Sequence, residues 1–443
     1  MTKTQDRRAF LKFTSASVVA ATALKNAAQA ANGASEKLVV GVIGCGGRGL
    51  HDALLFKNTP NVEVAYICDV DQGRRNQAAK SLELGSDRVV DDMRRILDQK
   101  SIDAVLVATP DHWHSPASIL ACDAGKHVYV EKPISHNIRE GRMLVEAAQR
   151  NRMQVQHGTQ SRSTDMMIEA VKLLGEGLIG TVKVAKCWNI QRRGSLGRGQ
   201  DTSPPAGLDY DNWVGPATMI PYRSNRVHNR WTMWYHFGTG DMGNDGVHDV
   251  DYTRWGLGVD THPSKVMALG GKYHFDDDQE FPDTQQVTFE YPGDGKSGSQ
   301  KLLIYEQRLW STNYPNNVDS GAEFYGTKGQ LFLSRRGKVQ LRGDDNKAVE
   351  LKIQPGAQND VAHVANFCEA VRGRARLNAD ALVGHLSASL CHLGNIATRV
   401  GRSLSFDPHS EKIIGDDEAN ALLGRPYRNH WATPKGGTIA ESG

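Results

Sequence analysis

Leu38-Val39-Val40-Gly41-Val42-Ile43-Gly44-Cys45-Gly46-Gly47-Arg48-Gly49 reads as an apolar strand that breaks into glycines just before a helical pattern. Gly44, Gly46 and Gly49 stand at G-x-G-x-x-G spacing. The first can supply a tight turn, the second lets backbone approach a pyrophosphate, and the third lets helix pack on strand, with the helix N-terminus facing the phosphates. The turn as a whole, Gly44, Cys45, Gly46, Gly47, Arg48 and Gly49, is thus a candidate cradle for a dinucleotide. Glycine is common in this chain, with 45 in 443 residues, and a plain strand-to-helix turn would use the same spacing. Context has to decide.

That context comes about twenty residues on. The apolar run Val62 to Cys68 ends at Asp69, where a second strand would put a carboxylate on an adenosine ribose. Asp69 therefore points to NAD, the alternative being a surface Asp in the turn before Asp71 and Gly73. Arg74 and Arg75 follow closely enough to offset repulsion from a ribose phosphate, which leaves NADP open.

Outward from this unit, residues 38 to 156 alternate strands near 38–44, 62–68, 104–108, 127–131 and 153–156 with helical segments. The expected fold is α/β, a Rossmann domain with a doubly wound parallel sheet. Ala104 to Ala108 ends in Thr109-Pro110-Asp111-His112-Trp113-His114, and His127 to Val130 ends in Glu131-Lys132-Pro133. Ligands of such sheets bind beyond the carboxyl ends of the strands, so both motifs should face the cofactor cleft.

Arg7-Arg8-Ala9-Phe10-Leu11-Lys12, a weakly apolar run to Leu24 and then Ala28-Gln29-Ala30 have the parts of a twin-arginine export signal. The expectation is export, to the periplasm or an equivalent compartment. No later run is long enough to span a bilayer. Lys3, Arg7, Arg8, Lys12 and Lys25 outweigh Asp6 in residues 1–30, so the chain's formal +3 becomes about −1 without them. Nothing basic remains for nucleic acid. Six cysteines without C-x-x-C spacing read as buried thiols, neither a disulfide nor a zinc framework.

Gly44-x-Gly46-x-x-Gly49, Thr109-Pro110 with His114, Gly125-Lys126-His127-Val128 and Glu131-Lys132-Pro133, in that order, resemble the glucose-fructose oxidoreductase and inositol dehydrogenase family, often written Gfo/Idh/MocA. The resemblance covers nearly the whole chain after the signal. It implies a C-terminal α/β domain with a large, mostly antiparallel open sheet, an active site between the domains, and a homo-oligomer, a dimer or tetramer. The division expected is 1–30 signal, 36–158 Rossmann domain, 159–375 substrate and oligomerisation domain, and 376–443 C-terminal helices and tail packing back on the others. Thr109, Pro110, His114, Glu131 and Lys132 would then join the glycine turn and Asp69 in holding cofactor.

Lys132 matches the family's catalytic lysine, placed to exchange a proton with a hydroxyl and to assist a developing alkoxide. His248, in Asp241-Met242-Gly243-Asn244-Asp245-Gly246-Val247-His248, matches the family's histidine. The residue four before it, an aspartate in the family, is Asn244 here, with Asp245 one place later. Asparagine can hold a hydroxyl but cannot charge or orient His248 as a carboxylate would. Both Asn244 and Asp245 are candidate substrate contacts, as are Gln160, Arg162, Trp231 and Trp234, although a domain-linking salt bridge suits Arg162 equally and core packing suits either tryptophan. A metal site from His248, Asp249 and Asp251 is disfavoured, because the triplet spans under a helical turn and hydride transfer needs no metal.

The reaction expected is hydride transfer between a tightly held NAD (or NADP) and a sugar, polyol or glycoside hydroxyl. Two alternatives stand beside it. One is redox-neutral, NAD-dependent glycoside hydrolysis, as some relatives perform; the other is a sugar-binding protein without catalysis, against which Lys132 argues.

Overall fold

The computed structural model describes residues 37–228 and 230–435, so the expected export signal lies outside the described residues. β1 (Leu38–Ile43), α1 (Gly47–Lys57), β2 (Val62–Cys68), α2 (Gln72–Leu82), β3 (Val89–Val90) and α3 (Arg94–Leu97) form the first half of the nucleotide-binding unit. β4 (Ala104–Val107), α4 (Asp111–Asp123), β5 (His127–Val130), α5 (Ile138–Asn151) and β6 (Val155–His157) form the second. The six strands run parallel in the order β3-β2-β1-β4-β5-β6, the doubly wound arrangement. β4 is buried throughout as an unbroken apolar run, as expected for a strand covered by helices on both faces.

Beyond α6 (Asp165–Gly175) the chain enters the second sheet with β7 (Val182–Asn189). α7 (Tyr210–Val214) lies inside the Gln191–Thr232 insert, which is otherwise mostly irregular, and α8 (Gly240–Asn244) and α9 (Gly246–Leu257) follow it. β8 (Lys265–Gly271), β9 (Thr284–Tyr291), β10 (Lys301–Arg308), β11 (Ser320–Gly326), β12 (Gly329–Ser334), β13 (Lys338–Gly343) and β14 (Ala348–Val349) extend the sheet. α10 (Asp360–Val371) and α11 (Ala381–Val400) lead to β15 (Leu404–Asp407), β16 (Lys412–Ile413) and α12 (Asp417–Ala421). The ten strands take the order β14-β13-β12-β11-β7-β10-β9-β8-β15-β16, antiparallel throughout except where β10 runs parallel to β7. One feature of the C-terminal stretch differs from a tail merely packed on other domains: Leu404 and Ser405 pair with Val266 and Lys265 and so extend this sheet.

The inner face of the large sheet, with Val266, Phe289, Tyr305 and Phe324, packs in one core with Val247 and Val250 of α9 and Leu390 and Leu393 of α11. α11 also lies against α5, so one helix is shared between the two sheets. Glu411, at φ +51° in the turn between β15 and β16, reinforces that junction. Its Oε1 lies 2.8 Å from Nε2 of both His262 and His385 and 2.5 Å from Nη2 of Arg142 on α5.

Burial opposes ionisation of Glu411, but the two imidazoles and the guanidinium outweigh it and hold the carboxyl far below the usual range. Burial in turn lowers His385 to about 4, against the pull of Glu411. The unfolded chain thus takes up protons more readily than the folded one, on His385 below its ordinary value of roughly 6.5 and on Glu411 below roughly 4.3, so stability falls as pH falls through that range. Glu411→Ala is expected to cost about 3 kcal/mol at neutral pH. Its thermal unfolding midpoint, followed by circular dichroism, should also depend less on pH below roughly 4.3 than that of the unmodified protein, because Glu411 is no longer there to protonate, while the dependence that buried His385 gives between roughly 6.5 and 4 remains.

Candidate active site

The glycine turn is built tightly enough to exclude side chains where a dinucleotide would need backbone. Gly44 sits at φ +94°, and a Cβ there would lie 2.6 Å from the Ala108 carbonyl oxygen. A Cβ on Gly49 would lie 2.0 Å from the Gly44 oxygen, which fixes how closely α1 approaches β1. Gly47 opens onto free space. The first turn of α1 therefore presents backbone N–H groups to the cleft with no side chain in the way, a fit for a pyrophosphate.

Asp69 lines the same cleft together with Gly44, Gly46, Thr109 and Pro110. Its Oδ2 accepts from the Cys45 N–H at 2.7 Å and its Oδ1 from Asp71 N–H at 2.9 Å, so the carboxylate is aimed at the turn by backbone donors. The two neighbouring arginines differ in placement, Arg74 lining this cleft beside Asp69. Arg75 Nη1 donates to the Asp69 carbonyl at 2.5 Å, and Arg74 Nη1 reaches within 2.8 Å of where a Gly46 Cβ would stand. The Cys45 thiol is buried and pushed up in pKa, by burial first and Asp69 second, so it remains an unreactive apolar contact.

Arg48 departs from the expected cofactor contact. Its guanidinium turns inward onto Asp52 at 2.9 Å, Glu131 at 3.2 Å and Asp360 at 2.9 Å, because three buried or half-buried carboxylates converge there and need a cation. Only its backbone remains for the phosphates. Burial raises Glu131, but Arg48 and Lys132 outweigh it and leave the carboxyl below the usual range. Gln160 donates to Glu131 Oε1 at 2.9 Å and Tyr129 Oη at 3.2 Å. His114 lies with Nδ1 2.6 Å from the Pro133 carbonyl and Nε2 2.8 Å from that of Thr109, tying the two strand-end motifs together. The Lys132–Pro133 peptide is cis.

Lys132 extends from this turn across to the second domain. Its ammonium donates to the Asn244 carbonyl at 2.7 Å and to Asn244 Oδ1 at 2.9 Å. The sequence suggests one helix through this stretch, but the chain breaks between α8 and α9 at Asp245. In an unbroken helix the Asn244 carbonyl would accept from the His248 N–H. Here that N–H turns to Asp245 O at 3.2 Å, which frees the Asn244 carbonyl for Lys132.

His248 is 4% exposed, and its Nδ1 has no protein partner. Burial, then the cations Arg335, Lys132 and Arg48, hold its pKa far below the ordinary value, so the ring is neutral. Asp245 pairs with Arg193 and lies 3.7 Å from Arg335. Burial opposes its ionisation, but Lys132, Arg335 and Arg193 prevail and lower it to about 2. Arg335 arrives from the end of β12, and nothing in the local sequence marks it. Only the pairing of β12 with β11 brings it beneath α9.

Two expected substrate contacts, Arg162 and Trp234, are engaged elsewhere. Arg162 forms a buried pair with Asp251 at 2.8 Å and stacks over Trp255, which is the structural alternative its position allowed. Trp234 is 4% exposed, packed in an aromatic core with Phe237 and covered by Arg226. Trp231 is half-buried at the edge of that core. The His248, Asp249 and Asp251 side chains do not converge, since Asp249 bonds Tyr252 and Ser320 while Asp251 bonds Arg162 and Ser387. Among the described residues, His262–His385–Glu411 and His51–Asp52–Asp360 come close enough to hold an ion, but an arginine already pairs with the acids of each cluster.

Comparison with known proteins agrees with this geometry. Residues 38–159 match the family model described as "Oxidoreductase family, NAD-binding Rossmann fold", and residues 167–433 match "Oxidoreductase family, C-terminal alpha/beta domain". The chain belongs to the Gfo/Idh/MocA oxidoreductase family. Its N-terminal half is an NAD-binding Rossmann domain. A glycosyl hydrolase family 109 protein of Saccharopolyspora erythraea is 31% identical over 159 residues, 34% of each chain, so the match spans about a third of that relative. Among solved structures, levoglucosan dehydrogenase in complex with NADH superimposes with a TM-score of 0.64 at 18% identity, covering 83% of this chain and 98% of the other. The WlbA dehydrogenase of Bordetella pertussis, in complex with NADH and UDP-GlcNAcA, gives 0.63 at 18% identity, covering 84% and 99%.

For this Gfo/Idh/MocA member, Gly49→Ala should force α1 away from Gly44. Affinity for NAD, measured by calorimetric titration, is expected to fall at least tenfold, roughly the 1.4 kcal/mol of one lost pyrophosphate contact.

Proposed function

We propose that the chain is an NAD-dependent oxidoreductase acting on a sugar, polyol or glycoside hydroxyl seated between Lys132 and His248. The observation that carries this is the Lys132 ammonium, held by Asn244 at the boundary of the two domains with two of its three N–H donors spent. The third is left for a substrate oxygen. When bound, the nicotinamide supplies the hydride acceptor for the carbinol carbon. Lys132 donates to the substrate oxygen and stabilises the negative charge developing there. His248, neutral through burial and neighbouring cations, offers an imidazole nitrogen to the hydroxyl proton. The alcohol thus loses one hydride and one proton and becomes a carbonyl. Asp245 stays ionised and balances the surrounding positive charge.

Asp69 favours the unphosphorylated ribose of NAD, while Arg74, which lines the same cleft, keeps NADP as the alternative. The outer face of the large sheet exposes Met267 at 52% and Leu269 at 75%, which supports pairing of two copies through that face. Arg7-Arg8 and the apolar run behind them support export with cofactor already bound.

The match to a glycosyl hydrolase family 109 protein, over 159 residues, favours a second reading. The same hydride would be withdrawn transiently, the aglycone eliminated, water added and the hydride returned.

Lys132→Met is expected to lower kcat by about 10² to 10⁴ while leaving NAD affinity within a fewfold. Asn244→Ala, which keeps the carbonyl contact, should cost on the order of tenfold. Unchanged turnover in Lys132→Met would remove the lysine from the mechanism, and sugar binding with no turnover in the unmodified protein would point to binding without catalysis. Aryl glycosides separate the two enzymatic readings: release of the aryl alcohol with no net change in cofactor absorbance means hydrolysis, whereas a carbonyl product matched by reduced cofactor means dehydrogenation.

A further inference from the structure

The cofactor cleft has a floor and a roof of different origin. The floor comes from the tips of the parallel sheet: the glycine turn, Asp69, Thr109 and Pro110. Beyond Asp69, toward the end of β3, the cleft continues past Asp92 and Met93. With the ribose on Asp69, this is the end that an adenine must occupy. Its roof is made of Asn212 and Trp213 from the insert and Trp431 from the C-terminal segment. None of these belongs to the nucleotide-binding unit.

The insert is fastened along the loop that follows β2. Gln72 N–H donates to Gly207 O at 2.9 Å, Asp209 N–H donates to Val70 O at 3.1 Å, and Asp71 and Leu208 form an isolated β-bridge. His228 Nε2 lies 3.1 Å from Asp71 Oδ2. On the far side of the cleft, Trp113 on α4 donates from Nε1 to the Trp213 carbonyl at 3.0 Å. The roof is therefore attached on both banks.

The C-terminal segment locks it there. Arg428 donates to Asp211 Oδ1 and Asp211 O, each at 2.6 Å, and to Gly215 O at 2.5 Å. Its own N–H donates to Pro216 O at 3.1 Å. Trp431 rests on Trp113 with centroids 5.8 Å apart and is covered by Arg94 at 4.5 Å. A dinucleotide lying on the floor could leave only after these bonds part.

We infer that residues 207–215 and 428–431 form a two-layered cover over the adenosine end of NAD, with Arg428 and Trp431 as its latch, and that this cover makes the cofactor a resident group. The inference rests on the NAD-binding reading of the cleft and adds to it what controls release. Arg428 acts on cofactor through the insert and is a positioning residue. Trp431 closes the adenine end directly, where indole stacking suits a purine.

The test uses the full chain loaded with NAD, comparing the unmodified protein with Arg428→Ala and Trp431→Ala. Bound dinucleotide is followed through repeated desalting by absorbance and by mass analysis of what denaturation releases, with a release rate taken from the decay. The unmodified protein should keep its NAD, and each variant should release it at least tenfold faster. Unfolding midpoints of the NAD-free proteins should stay close together, which separates a latch from general support of the fold. Equal release rates for all three, or rapid release from the unmodified protein, would overturn the cover while leaving the NAD site intact. Failure of the unmodified protein to bind NAD in direct titration would instead overturn the reading on which the cover rests.

Discussion

An ammonium brought to the boundary between two domains has to be compensated there, and the site is organised around that need. Lys132 leaves the cis Lys132–Pro133 turn of the Rossmann sheet and finds both oxygens of Asn244 in the second domain. The backbone oxygen is available only because the helical path breaks at Asp245. The carboxylate that the family carries one turn before the histidine is replaced here by a neutral amide. The negative charge is supplied one residue later by Asp245, which Arg193 and Arg335 hold in place. This division of labour keeps the lysine oriented by dipoles while a formal charge stands slightly apart; burial, with Arg335, Lys132 and Arg48 nearby, keeps His248 neutral.

A second charge network links cofactor binding to this lysine. Arg48 comes from the glycine turn, Glu131 precedes Lys132, Asp52 lies one turn along α1, and Asp360 opens α10. Buried ion groups of this kind add little net stability but penalise any arrangement that leaves one of them unpaired. A shift of the phosphate-facing turn would therefore be felt at the Glu131-Lys132-Pro133 turn. The Glu411 cluster does the same for the opposite side of the molecule, where α5, α11 and the β15–β16 turn meet.

Retention and chemistry fit together physically. Where the electron pair stays in the protein, it must either return to the molecule it came from or pass to a second carbonyl compound. A cover built from parts distant in sequence suits either course, because it restrains the adenosine end and its parts, residues 207–215 and 428–431, include neither Lys132 nor His248.

The nucleotide-binding half was legible in the sequence because its signals are local. Glycines whose Cβ would strike backbone, strands that read as apolar runs, and strand-end motifs such as Glu131-Lys132-Pro133 each carry their structural consequence within a few residues. His248 and Asn244 were found through the family resemblance, which places a histidine and the residue four before it in this stretch. The side chains that surround them were not. Arg335, Trp431 and the inward turn of Arg48 depend on carboxylates, indoles and strands that chain folding brings from tens to hundreds of residues away. Arg162 and Trp234 show the converse: their chemistry suits a sugar, yet a buried aspartate and an aromatic core claimed them. Sequence by itself determined which groups could do the chemistry; tertiary structure decided which remained free to do it, since a charge or ring is settled by whatever partner reaches it first in a desolvated interior.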